Sequence, residues 1–244
     1  MEYRALDTIR GEIRLLTIIH PEVTDINNEV EYGCVPREAE ETHCRIDHYP
    51  LQDWRSHEEH DDCCSALGCY VALSCTWGDP NDLDEMLVDG FAVPVQSNLK
   101  KALLALSRTD FLRSGYRVWA DALCINQGDV KERNREIKRM RDIYQKCWNV
   151  VIWLGDADDD RDDAIDFLNA ISDTLPKGSE AMREYFRKCL ANSQGIIIWK
   201  SLSSLICRPY FPWLWIIQEL AMRSMKTPIF CGEKVTTWEK MYLV

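Results

Sequence analysis

The stretch Tyr70-Val-Ala-Leu-Ser-Cys-Thr-Trp-Gly-Asp79 decides the fold. Residues 70–76 are β-prone and mostly apolar, without polar alternation, which predicts a strand buried on both faces. Trp77-Gly78-Asp79-Pro80 ends it as a turn. A strand buried on both sides needs covering helices, and the sequence downstream supplies them. Asn98 is placed to cap a helix through Leu99, Ala102, Leu103 and Leu106, which have helical spacing. Residues 118–125 read as a second buried strand. Residues 131–147 read as a helix with Ile137, Met140, Ile143, Tyr144 and Cys147 on one stripe. Residues 149–154 are a third strand, stopped by Gly155. Helices are predicted over 162–172, 179–191, 196–206 and 213–223, and a fourth strand over 227–231, stopped by Gly232. Asp89-Gly90 between residues 86–88 and 91–95 is a hairpin signal. Upstream, residues 13–19 read as a strand closed by His20-Pro21. Residues 22–69 are polar, acidic and irregular, with a short strand near 44–46.

Apolar strands alternating with amphipathic helices predict an α/β fold: a doubly wound, flavodoxin-like, mainly parallel sheet with helices on both faces. An N-terminal strand or hairpin extension over residues 1–69 packs on a core over 70–244, the two forming one domain. In such sheets ligands bind beyond the carboxyl ends of the strands.

The 244 residues are 46% apolar and 28% charged, enough for a sizeable core and too apolar for wholesale disorder. The net charge of −11 argues against nucleic acid as a general partner, although a local basic groove near residues 131–146 would still be compatible. No apolar run approaches a membrane span, and the charged N-terminus does not fit a signal peptide. Eleven cysteines are too few for a disulfide scaffold, and none form a Cys-x-x-Cys pair. Cys75, Cys124, Cys147 and Cys207 sit in apolar surroundings and are expected to be reduced and buried, in a cytosolic or nuclear protein.

Three blocks occur in order. They are the 70–79 stretch; Trp119-Ala-Asp-Ala-Leu-Cys-Ile-Asn-Gln127, continuing to Val151-Ile-Trp-Leu-Gly155; and Arg208-Pro-Tyr-Phe with Trp215-Ile-Ile-Gln-Glu219 and Cys231-Gly232. Together they resemble the fungal heterokaryon-incompatibility (HET) domain family over residues 12–240. Cys75 stands where that pattern has Tyr, Val118 where it has Leu, Ala120 where it has Ile, Tyr210 where it has Trp, and Trp213 where it often has Arg. The resemblance implies a cytoplasmic module of programmed cell death and non-self recognition, within a longer parent protein. The family is also distantly similar to Toll/interleukin-receptor (TIR) domains. That similarity implies self-association and hydrolysis of NAD, releasing nicotinamide, with NAD as substrate and no further cofactor. It also aligns Trp215 and Glu219 with the helix that carries the catalytic glutamate of NAD-cleaving members.

The residues themselves leave alternatives open. Trp215 and Glu219 are four apart and share a helix face. Glu219 there is either the carboxylate that stabilises a positively charged ribose or a surface glutamate beside a core Trp. Ser74, Trp77, Gly78 and Asp79 either hold a phosphate or ribose, or form a strand-ending turn with Trp77 in the core and Asp79 capping Pro80. Asp121 inside an apolar strand must be paired, and it is either a ligand-binding carboxylate or part of a structural ion pair that fixes the loop, with Arg133 or Arg208 as candidate partners. Asn126 and Gln127, at that strand's end, are the better ligand-binding candidates. Arg208 either clamps a diphosphate near a helix N-terminus or pairs with Asp121 or Glu219.

No metal site is expected. The His57-x-x-His60-x-x-Cys63 spacing fits no firm motif, and Arg161 and Phe167 break the calcium-loop pattern that starts at Asp156. The competing functional class is a non-catalytic adaptor that acts through protein contacts, with the Trp-rich stretch 199–215 as its surface.

Overall fold

A computed structural model describes residues 2–19, 43–52, 69–156, 162–174, 179–190, 193–212 and 226–242. The protein is α/β, and the nine strands among the described residues are both parallel and antiparallel. It divides into two compact units. One comprises residues 1–72 and 77–148, the other residues 73–76 and 149–244.

The first unit begins with β1 (Glu12–Ile19) and β2 (His43–Pro50), paired antiparallel over their full length. The first half of β3 (Tyr70–Cys75) follows, then β4 (Leu83–Val88) and β5 (Phe91–Gln96). Next come α1 (Ser97–Ser107), α2 (Asp110–Arg113), β6 (Arg117–Trp119), α3 (Asp121–Cys124) and α4 (Val130–Lys146). The strand order in this unit is β5-β4-β2-β1-β6-β3. The β3–β6 and β2–β4 ladders are parallel, and β1–β2, β1–β6 and β4–β5 are antiparallel. The antiparallel ladders of this unit therefore make the sheet mixed, where the sequence predicted a mainly parallel one.

β3 is buried along nearly its whole length, as its unbroken apolar run requires. The β4–β5 hairpin turns at Asp89-Gly90, with Asp89 in the left-handed region at φ 52°. In α1, Leu99, Ala102, Leu103 and Leu106 are buried on one stripe. Its N-cap is Gln96, so Asn98 lies inside the helix and not at its cap. α4 is capped by Asp129, whose side chain accepts the Lys131 and Glu132 amides. Trp119 is fully buried and meets Tyr144 of α4 edge-on, with centroids 5.4 Å apart.

The strand predicted over 118–125 is a correction. β6 stops at Trp119, and Asp121–Cys124 is a single helical turn. The Cys124 amide donates to the Ala120 carbonyl at 2.7 Å, and the Ile125 amide to Asp121 at 3.2 Å. Asp121 supplies a negative charge in the first turn, where the helix dipole favours it.

The second unit holds the end of β3, then β7 (Asn149–Trp153), α5 (Asp162–Thr174), α6 (Ser179–Leu190) and α7 (Ser193–Ile206). β8 (Pro228–Cys231), β9 (Lys234–Thr237) and α8 (Trp238–Tyr242) complete it. Its strand order is β3-β7-β8-β9, with β7–β8 parallel and β8–β9 antiparallel. Ile152, Ile165, Phe167, Leu168, Leu205 and Ile229 belong to one apolar core against which Tyr185 and Phe186 pack. The helix predicted over 213–223 lies outside the described residues.

Every described cysteine is a free thiol. Cys124 and Cys147 are buried as expected. Cys75 is only half-buried at the end of β3, and Cys207 is exposed just beyond the end of α7.

Candidate functional site

The described sequence-predicted residues fall into two clusters, one in each unit. In the first unit the loop after α3 is organised by a buried ion pair. Arg14, 1% exposed, donates through Nη1 and Nη2 to the Glu132 carboxylate at 2.5 and 3.1 Å. It also donates to the carbonyls of Cys124 and Arg4, at 3.1 and 2.7 Å. Its Nε has no acceptor among the described residues. The Tyr3 ring covers the guanidinium at 4.7 Å, and the Tyr3 hydroxyl donates to the Leu123 carbonyl. Glu132 also accepts the Asn126 amide at 2.8 Å. Burial raises the Glu132 pKa, but Arg14 and the Asn126 amide outweigh it and hold the carboxyl below its ordinary value. Strand, loop and helix are thus joined at one carboxylate.

Asn126 and Gln127 serve the same loop. Asn126 Oδ1 accepts the Gly128 amide at 3.1 Å. Gln127 Nε2 donates to the Asp121 carbonyl at 2.9 Å, and the Gln127 carbonyl accepts from Arg133 Nη1 at 3.5 Å. Asp121 pairs with neither arginine that the sequence suggested. Its carboxylate accepts the Trp77 indole N–H, at 3.1 and 3.3 Å to its two oxygens, and the Ala122 amide at 2.8 Å. Burial lifts the Asp121 pKa above the ordinary carboxylate range, opposed by those two donors. Trp77 is 42% exposed, so it does not plug the core; its indole instead reaches across to hold Asp121. Gly78 has φ 81°, a conformation that strains any side chain, while a Cβ there would make only ordinary contact with Asn98 Cβ at 3.4 Å, so the backbone is what favours glycine. Asp79 is exposed. Its Oδ1 accepts the amide and the side-chain N–H of Asn81, at 2.8 and 3.1 Å, which is the turn-forming alternative.

In the second unit, Ser74 is buried at the end of β3, with its Oγ 2.7 Å from the Tyr210 hydroxyl. Arg208 is buried beneath the loop after β7. Its Nη1 donates to the Leu154 carbonyl, and its Nη2 to the Asp156 carbonyl at 2.6 Å. Gly155 between them has φ 95° and accepts the Gly232 amide at 2.9 Å. This arrangement opens a cleft of about 370 Å³ at the carboxyl end of β7, lined by Gly155, Asp156, Ser204, Cys207, Arg208 and Pro209. A buried cation beside left-handed backbone at a strand's carboxyl end is suited to an anionic or ribose-bearing ligand.

Glu219 and Trp215 lie outside the described residues, as do His57, His60 and Cys63. Among the described residues no group of His, Cys, Asp and Glu is placed to hold a metal ion. No described helix is long and apolar enough to cross a membrane. Sequence reasoning missed Arg14, Glu132 and Tyr210. For Arg14 the signal was present, a lone cation inside the apolar strand Ile13-Arg14-Leu15-Leu16, which must be paired.

Residues 70–219 match the profile of the family Heterokaryon incompatibility protein (HET), which is more than half of the chain. The chain is also similar to "Heterokaryon incompatibility protein 6, OR allele" of Neurospora crassa, at 29% identity over 204 residues. That alignment covers 69% of this chain and 29% of the relative, so the chain spans less than a third of the relative's length. No solved structure matches it. The blocks around Trp77, Asp121 and Arg208 lie within the matched residues, and the chain belongs to the heterokaryon-incompatibility family.

Proposed function

We propose that this chain is the effector domain of a heterokaryon-incompatibility protein, and that it binds NAD or a related nucleotide and hydrolyses its N-glycosidic bond. The observation that carries this reading is the cleft at the carboxyl end of β7, with Arg208 and Gly155 in its lining. Its volume falls within the roughly 300–1,000 Å³ usual for small-molecule sites. The parallel β7–β8 ladder of the second unit adds support, since parallel sheets bind ligands at the carboxyl ends of their strands. A TIR-like fold is part of the same proposal.

In the reaction the ribose C–N bond breaks and its electron pair leaves with nicotinamide. Water supplies the new hydroxyl of ADP-ribose and releases a proton. Positive charge builds on the ribose as the bond breaks, and Glu219 is the carboxylate assigned to stabilise it. Trp215 supplies an aromatic wall, and Arg208 the positive field for the diphosphate. The domain acts in the cytoplasm, self-associates, and works as one part of a longer protein.

A second reading, a non-catalytic adaptor, is favoured by the outer face of α7. There Ile196, Trp199 and Ile206 are 74%, 55% and 55% exposed, an apolar stripe of the kind that marks protein contacts. The self-satisfied bonds of Asp121, Asn126 and Gln127 suit it too. The deciding experiment is nicotinamide release from NAD at high protein concentration, with Glu219→Ala alongside. Release that vanishes in the folded variant supports the hydrolase. Equal release from the variant removes Glu219 from the reaction. No release from folded, clustered wild type favours the adaptor.

A further inference from the structure

Among the described residues, β2 is a strand with one edge largely unpaired. On one edge it pairs with β1 over all eight residues, from His43↔Ile19 to Pro50↔Glu12. On the other it pairs with β4 at His43 and Cys44 only, because the chain turns away at Asp89-Gly90. Asp89 prolongs that ladder by one step. Its amide donates to the Cys44 carbonyl at 2.9 Å, and its Oδ1 accepts the Ile46 amide at 3.1 Å. These two bonds show that even-numbered residues of β2 direct their backbone groups away from β1. Strand alternation then places the Ile46 carbonyl and the His48 amide and carbonyl on the open edge, with no backbone partner among the described residues. Pro50, which has no N–H, ends the run.

A cavity of about 450 Å³ adjoins this edge, lined by residues 46–49 together with Glu2, Arg4, Arg14 and Asp89. The cations around it are already neutralised. Arg14 is paired with Glu132, Arg4 with Glu12 at 3.6 Å, and Arg45 with Asp47 at 2.9 Å. Burial lowers the His48 pKa, though the Glu12 side chain opposes the shift. The Glu2 carboxylate has no ion pair among the described residues, and Asp89 shares the field of Arg45 with Asp47, so the cavity's unbalanced charge is negative.

We propose that this edge is a docking site for an extended basic peptide segment, which adds as a strand beside residues 46–49 of β2. The peptide's main chain would accept from the His48 amide and donate to the Ile46 and His48 carbonyls. A Lys or Arg side chain would reach Glu2 and Asp89. The site lies wholly in the first unit and does not rest on the hydrolase reading.

The test uses the whole chain and three synthetic probes: the pentapeptide Val-Lys-Val-Lys-Val, its Glu-for-Lys counterpart, and the Lys peptide with methylated amides. The expected result is binding of the Lys peptide, with slowed exchange of the His48 amide, and no binding of the other two. The variant Glu2→Gln/Asp89→Asn keeps the turn, since Asn tolerates the left-handed region, and keeps an acceptor for Ile46. It is expected to weaken the Lys peptide by about threefold to tenfold, the range for exposed ion pairs. Equal binding of Lys and Glu peptides, binding without His48 protection, unchanged affinity in the variant, or no binding at all would overturn the proposal.

Discussion

In the first unit the loop between α3 and α4 closes on itself. Asp121, Asn126, Gln127 and Glu132 each accept from or donate to a neighbour in the same loop, and Arg14 seals it from below. In the second unit the loop after β7 is gripped from one side by Arg208, and its other side faces a cleft. The first loop follows a helical turn and the second follows a strand. Both clusters fix backbone, and the one around Arg208 also lines a cleft, where the proposed ligand site lies.

That contrast can be broken by substitution. The largest effect is expected at the buried pair. Glu132→Ala leaves Arg14 uncompensated and should cost roughly 3–5 kcal/mol in urea unfolding. The double variant Arg14→Met/Glu132→Leu should cost clearly less than the sum of the single changes. Next is Arg208→Met, which deprives the Leu154 and Asp156 carbonyls of their donor and should cost roughly 2–4 kcal/mol. It should also weaken nucleotide binding, which Glu132→Gln at equal stability should not. Trp77→Phe removes the indole donor from Asp121 and should cost about 1–2 kcal/mol by the same measurement.

The smallest effects are in pH dependence, and their signs oppose. The Glu132 pKa is lowered on folding, so its stabilisation is present above about pH 4.3, the unfolded value, and is lost as pH falls through the folded value. Glu132→Gln should flatten that acid limb. The Asp121 pKa is raised on folding, so stability falls as pH rises from about 3.9 through the folded value. Asp121→Asn should abolish that fall while leaving neutral-pH stability equal or slightly higher. Unfolding free energy measured from pH 3 to 8 separates the two.

Much of the fold was legible because it rests on local pattern. The apolar run at Tyr70, the helical stripe through Leu99 and Leu106, and Asp89-Gly90 each specify their element through nearest neighbours. Residues 118–125 misled because a short apolar run looks alike as a strand and as strand plus helical turn. The candidate site was less legible because its contacts are distant in sequence. Arg14 and Glu132 are 118 residues apart, and Trp77 and Asp121 are 44. Sequence shows that a buried Asp121 needs a partner, but not that an indole rather than an arginine supplies it. Gly155 was legible as the carboxyl end of a strand, but Ser204 and Cys207 become lining only in the folded backbone, where Arg208 draws in the Leu154 and Asp156 carbonyls.

The most direct test of ligand placement is amide hydrogen exchange with and without NAD at high protein concentration. The account predicts slowed exchange at Gly155, Asp156 and residues 204–209, with residues 121–133 unchanged. Protection of 121–133 with none around Gly155 and Arg208 would contradict it.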